Sequence, residues 1–153
     1  MLKAQTKDLP PTINGKEALY ILDGKETDKS ALGTVDPNAI LEVNVLKDAD
    51  ATIIYGSKGV NGVVVIATKK YAISSYQEKL SQLCDEYESY LTGHGTDDSV
   101  IAYNLDGKPL PKDDSGISTL YHLPRKKINE VVFTEKEPEG SKFLVRILIT
   151  TEQ

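Results

Sequence analysis

The chain has 153 residues, one cysteine, no tryptophan and 18 Lys and Arg against 23 Asp and Glu, a net charge of −5. That length gives one domain or two small ones and is enough to bury a core unaided. One cysteine excludes an internal disulfide, two histidines leave no spaced Cys/His set for zinc, and the acidic balance argues against counterion-release binding to nucleic acid. No run approaches the roughly 18–20 apolar residues of a membrane-spanning helix, so the chain reads as soluble, with any membrane connection indirect.

Met1 to Asp8 lacks the apolar stretch of a secretory leader. Either it is the frayed start of a cytoplasmic protein, or a leader has been removed near Ala4-Gln5. Ala18 to Leu22 and, further on, Val63 to Ile66 are continuous apolar runs bounded by turn residues, the pattern of interior strands covered on both faces. Asp36-Pro37-Asn38 offers an N-cap and a proline at the first helical position, predicting a turn or two of helix. Leu41 to Leu46 alternates, with Leu41, Val43 and Val45 on the inward face and Glu42 and Asn44 on the outward one. Asp48 to Tyr55 reads as a short helix capped by Asp48 and stopped by Gly56.

Ser75 to Leu91 is expected to be one amphipathic helix. Ser75 and Glu78 have capping-box spacing, Ile73, Tyr76, Leu80, Leu83, Tyr87 and Tyr90 form one stripe, and Gly93 serves as the stop. Near the carboxyl end, Val131-Val132-Phe133 and the alternation at Phe143, Val145, Ile147 and Ile149 predict a hairpin closed by a turn at Pro138–Gly140.

Tyr20-Ile21-Leu22-Asp23-Gly24-Lys25 returns as Tyr103-Asn104-Leu105-Asp106-Gly107-Lys108. Ile40-x-Glu42-Val43 returns as Ile128-x-Glu130-Val131, and the strand ending Ile66-Ala67-Thr68 as one ending Ile149-Thr150. The offsets are 83, 88 and 83. The expected organisation is α+β: an extension over 1–17, a unit over 18–70, a connecting helix and turn over 71–95, and a second, degenerate unit over 96–153. Each unit should hold a small mixed sheet with short helices.

The blocks Leu19-Tyr20-Ile21-Leu22-Asp23-Gly24, Asp36-Pro37-Asn38-Ala39-Ile40, Val43 to Thr52 and Ile54 to Lys70 resemble, in that order, the plug domain of TonB-dependent outer-membrane receptors. The likeness is to the oligosaccharide-importing receptors of Bacteroidetes-type bacteria. It covers about a third of the chain, with Lys58 where the family usually has arginine and Val60 where it usually has alanine. The resemblance implies a plug-like module of the periplasm or cell envelope, its leader removed. It does not imply import, since a transmembrane barrel needs many alternating strands of about ten residues that the segment after Lys70 does not supply.

Gly56-Ser57-Lys58-Gly59-Val60-Asn61-Gly62 invites comparison with a phosphate cradle, but it follows a helix and precedes a strand, so the helix dipole has the wrong sign for an anion. The glycines are expected to allow a tight reversal, with Asn61-Gly62 turning into the closing strand and Gly59 and Gly62 at positive φ. No catalytic, cofactor-binding or metal residues are assigned. No sequence-level partner singles out His94 or His122, and both are expected to face solvent, while Cys84 reads as a small buried apolar group. Asp97-Asp98 and Asp113-Asp114 lack the spacing of a calcium loop. The expectation is a non-enzymatic interaction or ligand-binding module, not itself a transporter, whose partner is another envelope protein or receptor component. The alternative is a soluble sensory or regulatory domain of a larger envelope membrane protein. Candidate interaction or structural positions are Asp23, Gly24, Tyr55, Gly56, Lys58, Gly59, Asn61 and Gly62.

Overall fold

The apolar runs around Tyr20 and Val64 have no polar face to offer water, and both lie inside a sheet. The computed structural model describes residues 12–13, 15–135 and 139–152, and the chain divides into two compact units, Met1–Tyr71 and Ala72–Gln153. Each carries one four-stranded mixed sheet with helices, an α+β architecture.

In the first unit, β1 (Thr12–Ile13) and β2 (Lys16–Glu17) form a two-stranded ribbon. The sheet comprises β3 (Leu19–Leu22), β4 (Lys25–Thr27), β5 (Ile40–Leu46) and β6 (Val63–Thr68) in the order β4-β3-β6-β5. The two central strands are parallel, and both outer strands are antiparallel to their neighbours. Between β4 and β5 lie α1 (Lys29–Leu32), capped by Asp28, and a 3-10 turn at Pro37–Ala39, capped by Asp36 as its sequence predicts. α2 (Asp48–Tyr55) and a 3-10 turn at Gly56–Gly59 join β5 to β6. One sheet face packs Ala18, Tyr20, Leu32, Ile40, Val64 and Ile66 together. The other sets Ile21 and Val63 against Ala51 of α2.

α3 (Lys69–Ser81) carries the chain into the second unit, followed by α4 (Asp85–His94), β7 (Ile101–Leu105), β8 (Lys108–Pro109), α5 (Asp114–His122), β9 (Ile128–Thr134) and β10 (Val145–Thr151). The sheet order is β8-β7-β10-β9. Its core gathers Tyr76, Leu80, Tyr87, Ile101, Tyr103, Ile147 and Ile149.

The two sheets agree down to register. Leu22 lies beside Ile66 in the parallel pair of the first, and Leu105 beside Ile149 in the second. In the antiparallel pairs, Val43 faces Ile66 and Val131 faces Ile149, and both ladders slip by one residue at the same end. β3 and its counterpart β7 turn through Asp-Gly pairs in left-handed backbone, Asp23 and Gly24 at φ 50 and 77° and Asp106 and Gly107 at 49 and 79°. That is the twist a two-residue hairpin requires.

Several expectations need correction. The helix expected over Ser75–Leu91 is two helices. Leu83 and Cys84 close α3 with i to i−3 bonds, and a new helix begins where Asp85, Glu86 and Glu88 complement its N-terminal dipole. The apolar stripe survives because Tyr76, Leu80, Tyr87 and Tyr90 are buried in one core with Ile73 and Leu83 packed against it, and Cys84 joins from the link between the helices. Ser75 lies inside α3 and caps nothing: α3 starts directly after β6, where the Thr68 hydroxyl accepts the Tyr71 amide. Gly93 is helical, and the stop is Gly95 at φ 86°. Asp48 is the first residue of α2 rather than its cap, and α2 has no side-chain cap. Val45 is exposed at the edge of the sheet, since β5 has a neighbour on one side alone. β9 and β10 pair antiparallel as expected, with Gly140 in a turn and Pro138 outside the described residues.

Candidate interaction site

The candidate positions of the first unit fall into two groups. At the first hairpin, the Asp23 carboxylate reaches across to the end of β6. It accepts the Thr68 amide at 2.8 Å and the Thr68 hydroxyl at 2.9 Å. The clamp ties the turn after the first central strand to the last residue of the second, fixing their parallel register. Gly24 sits under Tyr71, where an added Cβ would meet the Tyr71 hydroxyl at 2.8 Å. The second unit repeats the clamp, with Asp106 accepting the Thr151 amide and hydroxyl at 2.8 Å each. Those bonds, the amide first, hold the Asp106 carboxyl below its ordinary range.

The other group is the reversal after α2. Gly56 ends the helix at φ 60° with its amide on the Thr52 carbonyl, and Gly62 at φ 94° turns into β6. Gly59 lacks the positive φ expected of it. Its requirement is space, because a Cβ there would stand 2.5 Å from the Ala51 carbonyl oxygen. Tyr55 packs beside Ala51 under the sheet, and Asn61 is half-buried in the turn. Lys58 reaches Glu26 of β4 at 2.8 Å, but both side chains are more than half exposed and the pair contributes little to stability.

What the sequence did not disclose is the outward face of this segment. Ile53 is 80% exposed, Ile54 64% and Val60 67%. A helix that buries Ala51 and half-buries Tyr55 must turn its consecutive isoleucines elsewhere, and only the fold says that no described residue of the unit covers them. Large apolar side chains presented to water along one short segment are a signature of interaction surfaces.

The second unit holds a polar network that sequence reading also missed. Tyr103 donates to Asp98 Oδ1 at 2.6 Å, Tyr76 to Oδ2 at 2.8 Å, and Gln77 Nε2 to Oδ1 at 3.2 Å. With the Tyr103 proton committed to the carboxylate, the 2.8 Å contact between the Tyr87 and Tyr103 hydroxyls runs from Tyr87 to Tyr103. Lys112 completes the set at 2.7 Å from Oδ2 and also binds the Asp98 and Ile101 carbonyls. Burial, reinforced by the nearby Asp98 carboxylate, keeps Tyr76 and Tyr103 protonated well above the usual tyrosine range, and burial does the same for Tyr87.

The remaining chemistry-bearing residues have structural settings. Cys84 is buried, which pushes its thiol up. His94 stacks on Tyr90 with ring centres 4.6 Å apart. Asp113 caps α5 through the Ser115 and Gly116 amides, and Lys79 binds the Leu120, Tyr121 and Leu123 carbonyls at the end of that helix. Among the described residues no three His, Cys, Asp or Glu side chains converge as metal ligands, and no helix is long and apolar enough to cross a membrane.

No family model matches the chain, and no solved structure matches it. Curated proteins do. A TonB-dependent receptor, SusC of Bacteroides thetaiotaomicron, is 43% identical over 61 residues, which is 35% of this chain and 6% of the receptor. TonB-dependent receptor P39 of Formosa agariphila is 39% identical over 56 residues, 37% of this chain and 5% of the receptor. Receptor P3 of the same organism is 59% identical over 34 residues, 22% of this chain and 3% of its own length. The chain thus spans a small part of the receptors it matches, and over about a third of its own length it is similar to TonB-dependent receptors.

Proposed function

We propose that this protein is a non-enzymatic binding module of the cell envelope, built by duplication of a plug-like unit, that engages an envelope receptor component and does not itself transport. The observation that carries the reading is the exposed apolar set Ile53, Ile54 and Val60 on α2 and the glycine reversal. In the first unit this is the segment between β5 and β6, held rigid from beneath by Ala51, Tyr55 and the Gly59 contact. A rigid, solvent-facing apolar segment binds a partner at low entropic cost.

Duplication is supported by the matching sheet order, register and Asp-Thr clamps of the two units. The non-transporting part of the proposal concerns this chain's own described strands. The longest described strands have 7 residues, short of the roughly nine to eleven that cross a bilayer. Envelope location rests on similarity to TonB-dependent receptors.

Fractionation of a host expressing the native gene with a carboxyl-terminal tag tests this. The tag should appear in the periplasmic or envelope fraction and become protease-accessible when the outer membrane is opened. Recovery wholly in the cytoplasm would refute the assignment.

A further inference from the structure

The second unit contains a cavity of about 380 Å³ that neither the clamp nor the exposed segment of the first unit uses. It lies within the size range of small-molecule pockets, roughly 300–1,000 Å³. Its walls are apolar: Ile73 from α3, Leu110 from the loop after β8, Ile117 and Leu120 from α5, and Phe143 from the segment before β10.

The wall is built, not a gap left by loose packing. Gly116 approaches the Pro111 carbonyl so closely that no Cβ fits between them. That contact presses the Leu110–Pro111 loop against the first turn of α5. The base is the Asp98 network, in which the carboxylate already receives Tyr76, Tyr103, Gln77 and Lys112. Lys112 in turn has given its three protons to Asp98 Oδ2 and to the Asp98 and Ile101 carbonyls. Neither ion of that pair is available to a ligand, so the base contributes rigidity and a neutral polar floor.

The charge that remains is at the rim. Lys142 lines the cavity, is exposed, and has no carboxylate partner among the described residues; its ammonium stands 5.2 Å from the centre of the Phe143 ring. With Asp98 neutralised by Lys112, the lining carries one uncompensated positive charge. An organic cation would therefore meet repulsion, and a polar neutral molecule would leave the apolar walls unsatisfied. We propose that this cavity binds a small amphiphilic monoanion, a medium-chain or aryl-alkyl carboxylate, with its hydrocarbon between α3 and α5 and its carboxylate on Lys142. This names the ligand for a binding module and so rests on the reading above. It is tested on purified protein, so its failure is separate from a failure of envelope location.

The experiment titrates octanoate into the full chain by isothermal calorimetry, with octyltrimethylammonium as the probe of opposite charge. Octanoate should bind saturably at one site and the cation should bind more weakly. Lys142→Met should weaken octanoate by roughly two- to fivefold, the range an exposed ion pair supports, and Lys142→Glu should reverse the preference. Ile117→Trp, which fills the cavity, should abolish binding with the circular dichroism spectrum intact. Should that variant fail to fold, Leu110→Trp fills the cavity from the loop after β8. Absence of saturable octanoate binding, equal binding of both probes, or binding undiminished in the folded tryptophan variant would overturn the proposal.

Discussion

Tyr103→Phe removes one oxygen atom from a core whose shape is otherwise kept, which isolates the worth of the Asp98 network. Tyr103 is 3% exposed, so no water replaces what is lost. Asp98 forfeits a 2.6 Å hydroxyl donor, and the Tyr87 hydroxyl, on a residue with 0% exposure, forfeits the acceptor to which it gives its proton. A hydrogen bond to a charged group is worth about 1.5–3 kcal/mol and a stranded buried polar group costs about 1–3 kcal/mol; because Asp98 keeps its bonds from Tyr76, Gln77 and Lys112, the low end of their sum applies and the substitution should destabilise the second unit by about 3 kcal/mol. For a unit of this size that is a fall in melting temperature of roughly 12–24 °C. Thermal unfolding followed by circular dichroism reads it. Tyr90→Phe is the control, because Tyr90 packs in the same core against Phe133 and its hydroxyl is not among the described bonds of the network. Tyr90→Phe should fall within about 0.5 kcal/mol of the parent, as changes away from such features do. Equal effects of the two substitutions would refute the reasoning.

Three further outcomes follow from the same geometry. Burial raises Tyr76, Tyr87 and Tyr103 above the ordinary tyrosine pKa, so their contribution to stability is intact below about pH 10, where the unfolded chain begins to release their protons, and is lost as pH rises beyond it, by up to about 4 kcal/mol per pH unit. Ultraviolet titration should show these three phenolates appearing together with unfolding, and their smooth titration near pH 10 in a folded protein would contradict their burial. Asp23→Asn and Asp106→Asn keep the left-handed turn but replace the charged acceptor of both threonine bonds by a neutral amide, so both should lower the melting temperature. The Asp106 bonds stabilise the fold above the ordinary carboxylate range and weaken as pH falls through the lowered value; an effect of only one substitution would show that the clamps are not equivalent. Gly59→Ala should cost about 1–3 kcal/mol, because the Ala51 carbonyl must yield to the new methyl, and an unchanged melting temperature would remove that contact from the account.

The sequence carried its information unevenly. Interior strands were legible because runs such as Val63 to Ile66 leave only one solution, and the Asp-Gly turns because left-handed backbone selects those residues. The clamp partners Thr68 and Thr151 were not, since a hydrogen bond spanning forty-five positions leaves no local trace. The break between α3 and α4 was hidden by a stripe that stays in phase across it, and the acidic trio Asp85, Glu86 and Glu88 was the available sign of a new helix start. In sequence, Asp97-Asp98 showed only that it lacks the spacing of a calcium loop. The role of Asp98 depends on tyrosines from α3 and β7 meeting it in space, with Tyr87 of α4 bonded in turn to the Tyr103 hydroxyl. Likewise, the pattern of α2 shows that Ile53 and Ile54 differ in direction from Ala51, but not that the face they take is left bare.

The central claim is that the bare face of the first unit meets an envelope component. Photo-crosslinking in living cells tests it most directly, with a photoreactive residue at Ile54 and a control at Lys29, which lies exposed on α1 of the same unit. The account predicts a discrete adduct with an envelope protein from position 54 that is absent from position 29 and lost when Ile53 and Val60 are changed to aspartate. Identical patterns from both positions, or adducts with cytoplasmic proteins alone, would contradict it.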